Sequence, residues 1–268
     1  MDIIKKLIIG MVIGISNVIP GVSGGTMAVV FGIYDKLISS VTNFFKDWKK
    51  NVQFLGTLAI GAVLGILLFT KLIKVSLETY PEQTKFFFIG LIVGTVPLLY
   101  KKATEEKVNK INYVWLVVAF SIAFLMGYLG DPEAKGTLIT NLSGMNIVKI
   151  FFGGFIAAAT MILPGVSGSF VLLLLGLYDS VITAVTNFNI PVLFVLGLGV
   201  LFGFLTMTKI IETLFRKYPQ TAYFTILGLV VGSVYAIYPG FTFSIEGLIS
   251  IITLLIGFVV AYLIGRNE

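Results

Sequence analysis

Asn17–Thr26 reads NVIPGVSGGT, and Met161–Phe170 reads MILPGVSGSF. Pro20 and Pro164, each followed by Gly-Val-Ser-Gly, interrupt two strongly apolar segments with residues poorly suited to a helix interior. A lone Pro-Gly would do no more than kink a long helix for packing. A kink does not need Ser and Gly repeated in the same order, so the recurrence asks for a second role.

The surroundings of both stretches set the environment. The chain has 268 residues, of which 57% are hydrophobic and 12% charged. A soluble domain carries about 25% charged residues. Apolar runs near the length of a membrane span recur from end to end, separated by short polar gaps, which predicts a polytopic membrane protein without a sizeable soluble domain. The runs are continuous rather than alternating, so the spans are helices and the fold class is all-α. There is no Cys and no His. Thiol chemistry, haem, zinc–thiolate sites and His-based proton transfer are excluded, and no cofactor or metal site is expected. The start, MDIIKKLIIGMVIGIS, resembles a signal peptide, but the same segment recurs internally as IVKIFFGGFIAAATMILPG and is assigned to the fold. The net charge of +6 is scattered among loops. It fits an anionic membrane surface and membrane lipids as neighbours, not nucleic acid.

The repeat extends well beyond the motif. GIYDKLISSVTNF (Gly32–Phe44) matches GLYDSVITAVTNF (Gly176–Phe188), FTKLIKVSLETYP (Phe69–Pro81) matches MTKIIETLFRKYP (Met207–Pro219), and IGLIVGT from Ile89 matches LGLVVGS from Leu227. Internal repeats of this kind mark transporter folds. The first copy carries an insertion, KDWKKN (Lys46–Asn51).

Leu7–Ile19 is short for a crossing, and Thr26–Ile33 is shorter. Asp35, with Leu37, Ile38, Val41, Phe44 and Phe45 on one face, then opens an amphipathic interfacial helix, and Asp179 with Val181, Ile182, Val185 and Phe188 repeats it. Each motif is therefore expected at the tip of a re-entrant hairpin. The first repeat takes residues 1–110, with hairpin 7–34, interfacial helix 35–46 and spans 52–77 and 86–100. Residues 111–146 form a linking span and outer loop. The second repeat takes 147–268, with hairpin 147–178, interfacial helix 179–188, spans 191–212 and 222–238, and a C-terminal span 247–264. That makes six full spans and two hairpins.

Charge orients the scheme. With both termini cytoplasmic, Lys5, Lys6, Lys46, Lys49, Lys50, Lys101, Lys102, Lys107, Lys110, Arg216, Lys217 and Arg266 fall inside. Asp131, Glu133, Lys135, Glu246 and the uncharged NFNIP (Asn187–Pro191) fall outside. This follows the positive-inside rule. It places the two hairpins on opposite faces, an inverted-topology repeat, with the odd crossing supplied by Tyr113–Leu129.

The motif then acquires its second role. A break between half-helices exposes backbone N–H groups at the positive end of a helix, and irregular backbone at this depth belongs where it lines a cavity. Gly21, Val22, Ser23, Gly24, Gly25 and Thr26, with Gly165, Val166, Ser167, Gly168 and Ser169, are the expected anion site, and the two tips are expected to meet near the midplane. Lys71 and Lys209 occupy matching positions near span ends and are candidate headgroup ligands from opposite leaflets; snorkelling to the interface is the plainer reading. Asp35 and Asp179 are candidate proton carriers, with helix capping as the plainer reading.

At IPGVSGGT, LPGVSGS and the two Gly-[Ile/Leu]-Tyr-Asp segments, the chain resembles the bacterial and archaeal membrane family long filed as domain of unknown function 368. Its members are assigned as PopT-type polyprenyl-phosphate translocases. The resemblance covers nearly the whole chain. It implies a plasma-membrane lipid transporter that returns undecaprenyl phosphate from the outer to the inner leaflet, for reuse in peptidoglycan and teichoic-acid synthesis. It carries no catalytic residues over, and homo-oligomerisation stays open. The residues alone leave two rivals. One is a transporter of small anions. The other is a membrane enzyme: a polyprenyl-pyrophosphate phosphatase would need intramembrane carboxylates and Arg, whereas Arg216 and Arg266 are the only arginines and neither tip holds a Glu. A Ser–Lys pairing of Ser23 or Ser167 with Lys71 or Lys209 is the remaining enzymatic form.

Overall fold

The computed structural model describes residues 2–16, 23–129 and 138–266. Among these residues there are twelve helices and no strand. They are α1 (Ile3–Ser16), α2 (Gly24–Val30), α3 (Tyr34–Thr42), α4 (Trp48–Thr79), α5 (Pro81–Ala103), α6 (Ile111–Leu129), α7 (Gly144–Ile162), α8 (Gly168–Leu174), α9 (Tyr178–Thr186), α10 (Ile190–Lys217), α11 (Pro219–Ile237) and α12 (Ile245–Arg266). The same order of lengths runs twice. Each motif is followed by a seven-residue helix, α2 or α8, and then by a nine-residue helix, α3 or α9.

Seven helices are long and apolar enough to cross a membrane: α4 to α7 and α10 to α12. Six of them are the expected spans. The seventh, α7, was expected as the first arm of hairpin two; at 19 residues it is longer than its 14-residue counterpart α1. Gly21, Val22 and the outer-loop charges Asp131, Glu133 and Lys135 lie outside the described residues.

Helix direction follows from glycine contacts, where backbones approach closely enough to leave no room for a side chain. Gly10 and Gly14 face Leu58 and Ala62, while Gly61 and Gly65 face Leu7 and Met11. α1 and α4 therefore run parallel. Gly154 faces Leu196 and Val200, and Gly199 and Gly203 face Phe151 and Phe155, so α7 and α10 are parallel too. Two parallel helices in one chain require the segment between them to come back to the starting side. In the second copy that return is visible. The amide of Ile139, before α7, donates to Ser180 Oγ of α9 at 2.9 Å, and Asn189 Nδ2 donates to Thr140 O at 2.9 Å.

The C-terminal end of α10 sits beside the interfacial helix that leads into α4: Asn43 Nδ2 donates to Glu212 Oε1 at 2.8 Å, and Tyr34 and Phe215 ring centroids are 6.0 Å apart. α10 thus runs opposite to α4, and α7 opposite to α1. The remaining helices pair across the two halves. Gly90 and Gly94 of α5 lie against Leu254 and Phe258 of α12, and Gly228 and Gly232 of α11 lie against Leu116 and Phe120 of α6. The last helix of each half is clamped to the fifth helix of the other. One buried cluster, including Ile9, Met27, Ile38, Phe54, Ile92, Leu99, Ile211 and Val230, ties these units together.

Candidate functional site

The two copies of the motif touch. Ser23 starts α2 in extended backbone (φ −105°, ψ 138°), and its Oγ accepts the Gly25 N–H at 3.1 Å. Residue 26 of the first copy reaches the second: the Gly165 N–H donates to Thr26 Oγ1 at 2.7 Å. The Ser23 hydroxyl lies 3.5 Å from Leu163 O, at the limit of a hydrogen bond. Tyr34 Oη donates to Ile162 O at 2.9 Å. So the last carbonyls of α7, which have no intrahelical partner, are met by side chains of hairpin one. Burial first, and the Asp35 charge second, hold the Tyr34 phenol above the ordinary tyrosine range, which keeps it a neutral donor.

In the second copy the chain turns at Gly165, whose φ of +83° is open to glycine and strained for other residues. A Cβ there would also lie 2.5 Å from Leu229 O. Gly168 allows α8 to fold back on α7, against Met161 and Ala157 O. Ser167 begins α8 without a side-chain cap bond; its Oγ pairs instead with Ser169 Oγ at 2.9 Å. Val166 is buried in the packing between the hairpin and α6 and α11. Gly24 and Gly25 open α2, with Gly25 close to the carbonyls of Met161 and Ile162. At seven residues, α2 and α8 have short dipoles, so hydroxyls and backbone N–H groups are the donors the tips offer. In this state several of those donors satisfy one another, as an apolar environment requires.

The two sides of this junction are unequal. Tyr34 is 4% exposed and its repeat counterpart Tyr178 is 37% exposed. A cavity of about 200 Å³ opens beside hairpin one. Val29, Val30, Thr95, Leu98, Leu99 and Ile226 form its apolar part, and Asp35, Lys101, Lys102, Glu105, Tyr223 and Arg266 are its polar lining. Tyr223 Oη donates to Asp35 Oδ2 at 2.9 Å, and Lys102 Nζ stands 5.9 Å from the Tyr223 ring centroid. Asp35, Phe215 and Tyr223 also border a shallower cavity of about 320 Å³ with Glu212 and Arg216. On the other side of the junction, a cavity of about 20 Å³ lies among the described residues Gly165, Val166, Ser167, Ala123, Met126, Gly127 and Ala236. That is room for roughly one water.

The structure thus brings together Ser23, Gly25, Thr26 and Gly165, and places Asp35 at the edge of both the 200 Å³ and the 320 Å³ cavity. It does not bring Lys71 or Lys209 to the tips. Both are exposed on the outside of α4 and α10, at opposite ends of the bundle. Asp35 and Asp179 lie in the first turns of α3 and α9, where Ile33 and Leu177 are the N-caps, so Asp35 is bound by Tyr223 rather than acting as a cap. Lys101, Lys102, Tyr223 and Arg266 were not singled out as ligands. The signal was present as last-turn cations of α5 and α12, but only the parallel pairing of those helices brings the cations together.

Across residues 13–250 the sequence matches the family model described as VCA0040-like, undecaprenyl phosphate translocase-like. The chain belongs to this family. It is 35% identical to the polyprenyl-phosphate transporter of Staphylococcus aureus over 96% of this chain and 94% of that protein. It is 32% identical to the polyprenyl-phosphate transporter of Vibrio cholerae over 89% of this chain and 79% of that protein. A more distant likeness, 27% over 76% of this chain and 77% of the other, is to undecaprenyl-diphosphatase 1 of Clostridium acetobutylicum. No solved structure matches. The all-helical, multi-pass membrane architecture agrees with that membership.

Proposed function

We propose that this protein is a polyprenyl-phosphate transporter of the plasma membrane, with both termini cytoplasmic. It moves undecaprenyl phosphate from the outer to the inner leaflet, where the carrier re-enters cell-envelope synthesis. The observation that carries the reading is the Thr26–Gly165 hydrogen bond, which joins two oppositely directed broken helices inside the bundle. A phosphate carries about 1.5 to 2 negative charges and cannot cross hydrocarbon bare. At the junction it exchanges its water for Ser23, Thr26, Ser167, Ser169 and the backbone N–H groups of the glycines around them. Those donors are held meanwhile by each other, so an empty passage leaves few of them unsatisfied. The polyprenyl chain stays in lipid. Lys71 and Lys209 gather headgroups at the two surfaces, and Asp35 and Asp179 carry protons. The names of the two closer relatives support the substrate, and the unequal burial of the repeat partners Tyr34 and Tyr178 supports alternating access. Neither tip contains the Arg and carboxylate set that phosphoryl transfer uses, which weighs against the activity of the more distant diphosphatase relative.

Reconstitution into liposomes with labelled polyprenyl phosphate tests this. The parent protein is expected to equilibrate the label between leaflets far faster than protein-free liposomes. Exchange no faster than in empty liposomes, with protein that is folded and inserted, overturns the reading. Movement of small anions without lipid exchange replaces it with the small-anion alternative.

A further inference from the structure

We infer that the cavity beside hairpin one is a second ligand site, specific for the phosphate end of a prenyl phosphate, which borders the hairpin junction through Tyr34. The inference rests on the proposed function for its ligand class and on the geometry for its place. α5 and α12 run parallel, so their last turns end together and bring Lys101, Lys102 and Arg266 to one rim. Two carboxylates, Asp35 and Glu105, share the lining. Asp35 is occupied by the Tyr223 hydroxyl and sits in the first turn of α3, where the helix favours negative charge. The balance of the rim is positive.

Helix capping alone does not account for these cations. The same parallel pairing is made at the opposite end by α6 and α11, whose last turns carry no basic residue. There Tyr128 and Tyr235 pack with Phe124 instead. Lys101, Lys102 and Arg266 all line the cavity at their own end. Below the rim the wall is Val29, Val30, Leu98, Leu99 and Ile226, and the hydroxyl of Thr95 is turned away to Ile92 O at 2.6 Å. A free phosphate would be desolvated against that apolar wall without return. A phosphate joined to an isoprene unit matches both parts, with the oxygens at the cations and the first isoprene carbons against the wall.

The test uses the full chain in nanodiscs of neutral phosphatidylcholine, with farnesyl phosphate as probe and inorganic phosphate and farnesol as comparators. Farnesyl phosphate is expected to bind more tightly than either. The triple variant Lys101→Gln/Lys102→Gln/Arg266→Gln is expected to weaken it at least about tenfold, and a single exposed charge about threefold. Leu98→Trp, which fills the apolar part, is expected to weaken farnesyl phosphate and spare inorganic phosphate. Melting temperatures are measured alongside. The charge-preserving variant Lys101→Arg/Lys102→Arg/Arg266→Lys retains binding if charge is what matters, and serves if the Gln variant unfolds. A folded triple Gln variant that binds farnesyl phosphate like the parent overturns the site but leaves leaflet exchange, and so the proposed function, standing. A parent that neither binds farnesyl phosphate nor exchanges lipid overturns both. Equal affinity for inorganic and farnesyl phosphate overturns the prenyl assignment.

Discussion

Thr26 and Gly165 belong to different copies of one sequence motif, and the hydroxyl oxygen of the first accepts the amide proton of the second at 2.7 Å. Thr26 is 1% exposed, so the bond is made out of contact with water. Thr26→Val keeps the shape and leaves the Gly165 N–H without its acceptor. The expected cost is about 1–3 kcal/mol of stability, with slowed lipid exchange. Thr26→Ser restores the acceptor and is expected to recover most of both. Equal melting temperatures and exchange rates for Val and Thr would remove this bond from the mechanism.

Tyr34→Phe removes the donor to Ile162 O without changing the ring. The loss is expected at about 1 kcal/mol or somewhat more. Because Tyr178 is open to solvent where Tyr34 is buried, Tyr178→Phe is expected to leave the melting temperature of this state nearly unchanged. A larger loss at Tyr178 than at Tyr34 would mean that another state dominates in solution.

Close helix contact gives a prediction with its own control. A Cβ on Gly203 would sit 2.1 Å from Phe155 O, whereas one on Gly197, in the same helix, meets nothing within 4 Å. Gly203→Ala should force α7 and α10 apart and cost roughly 1–3 kcal/mol. Gly197→Ala should be neutral or slightly stabilising. Thermal unfolding in detergent distinguishes them, and similar behaviour of the two would contradict the parallel packing of α7 on α10.

Orientation is tested with single cysteines, since the chain has none of its own. A cysteine at Lys49 is expected to react with a membrane-impermeant thiol reagent from the cytoplasm only, and one at Asn189 from outside only. Labelling of both from one side would abolish the inverted arrangement across a membrane.

Lys71 and Lys209 are tested together. If they gather headgroups, the Lys71→Ala/Lys209→Ala variant exchanges lipid more slowly than the parent while remaining folded and inserted. A normal rate would assign both to snorkelling.

Much of this was legible in the sequence because the features concerned are local. Pro164 and its glycines announce the turn between α7 and α8, and Asp35 and Asp179 mark the starts of α3 and α9. Runs of apolar residues reveal the spans. The correspondence of α6 with α12 was not legible, since their exposed faces meet lipid and need only be apolar, leaving no shared residues to align. The cavity was hidden for a different reason. Lys102, Tyr223 and Arg266 come from three helices, and each alone reads as an ordinary helix-end or interfacial residue. Tyr34 gives no such signal either, because sequence records its polarity but not that a carbonyl of the other hairpin awaits it.

The exchange of last helices between the halves has a mechanical consequence. Since α6 is fastened to α11 and α12 to α5, the repeat boundary is not a seam along which the molecule can part. Those four helices make a cross-braced frame, and a half-length fragment would keep a fifth helix stripped of its mate. The units outside the brace are α1 with α4 and α7 with α10, each carrying one hairpin. Under the proposed transport these are the parts that would have to shift against the frame, and they meet where Thr26 accepts the Gly165 amide.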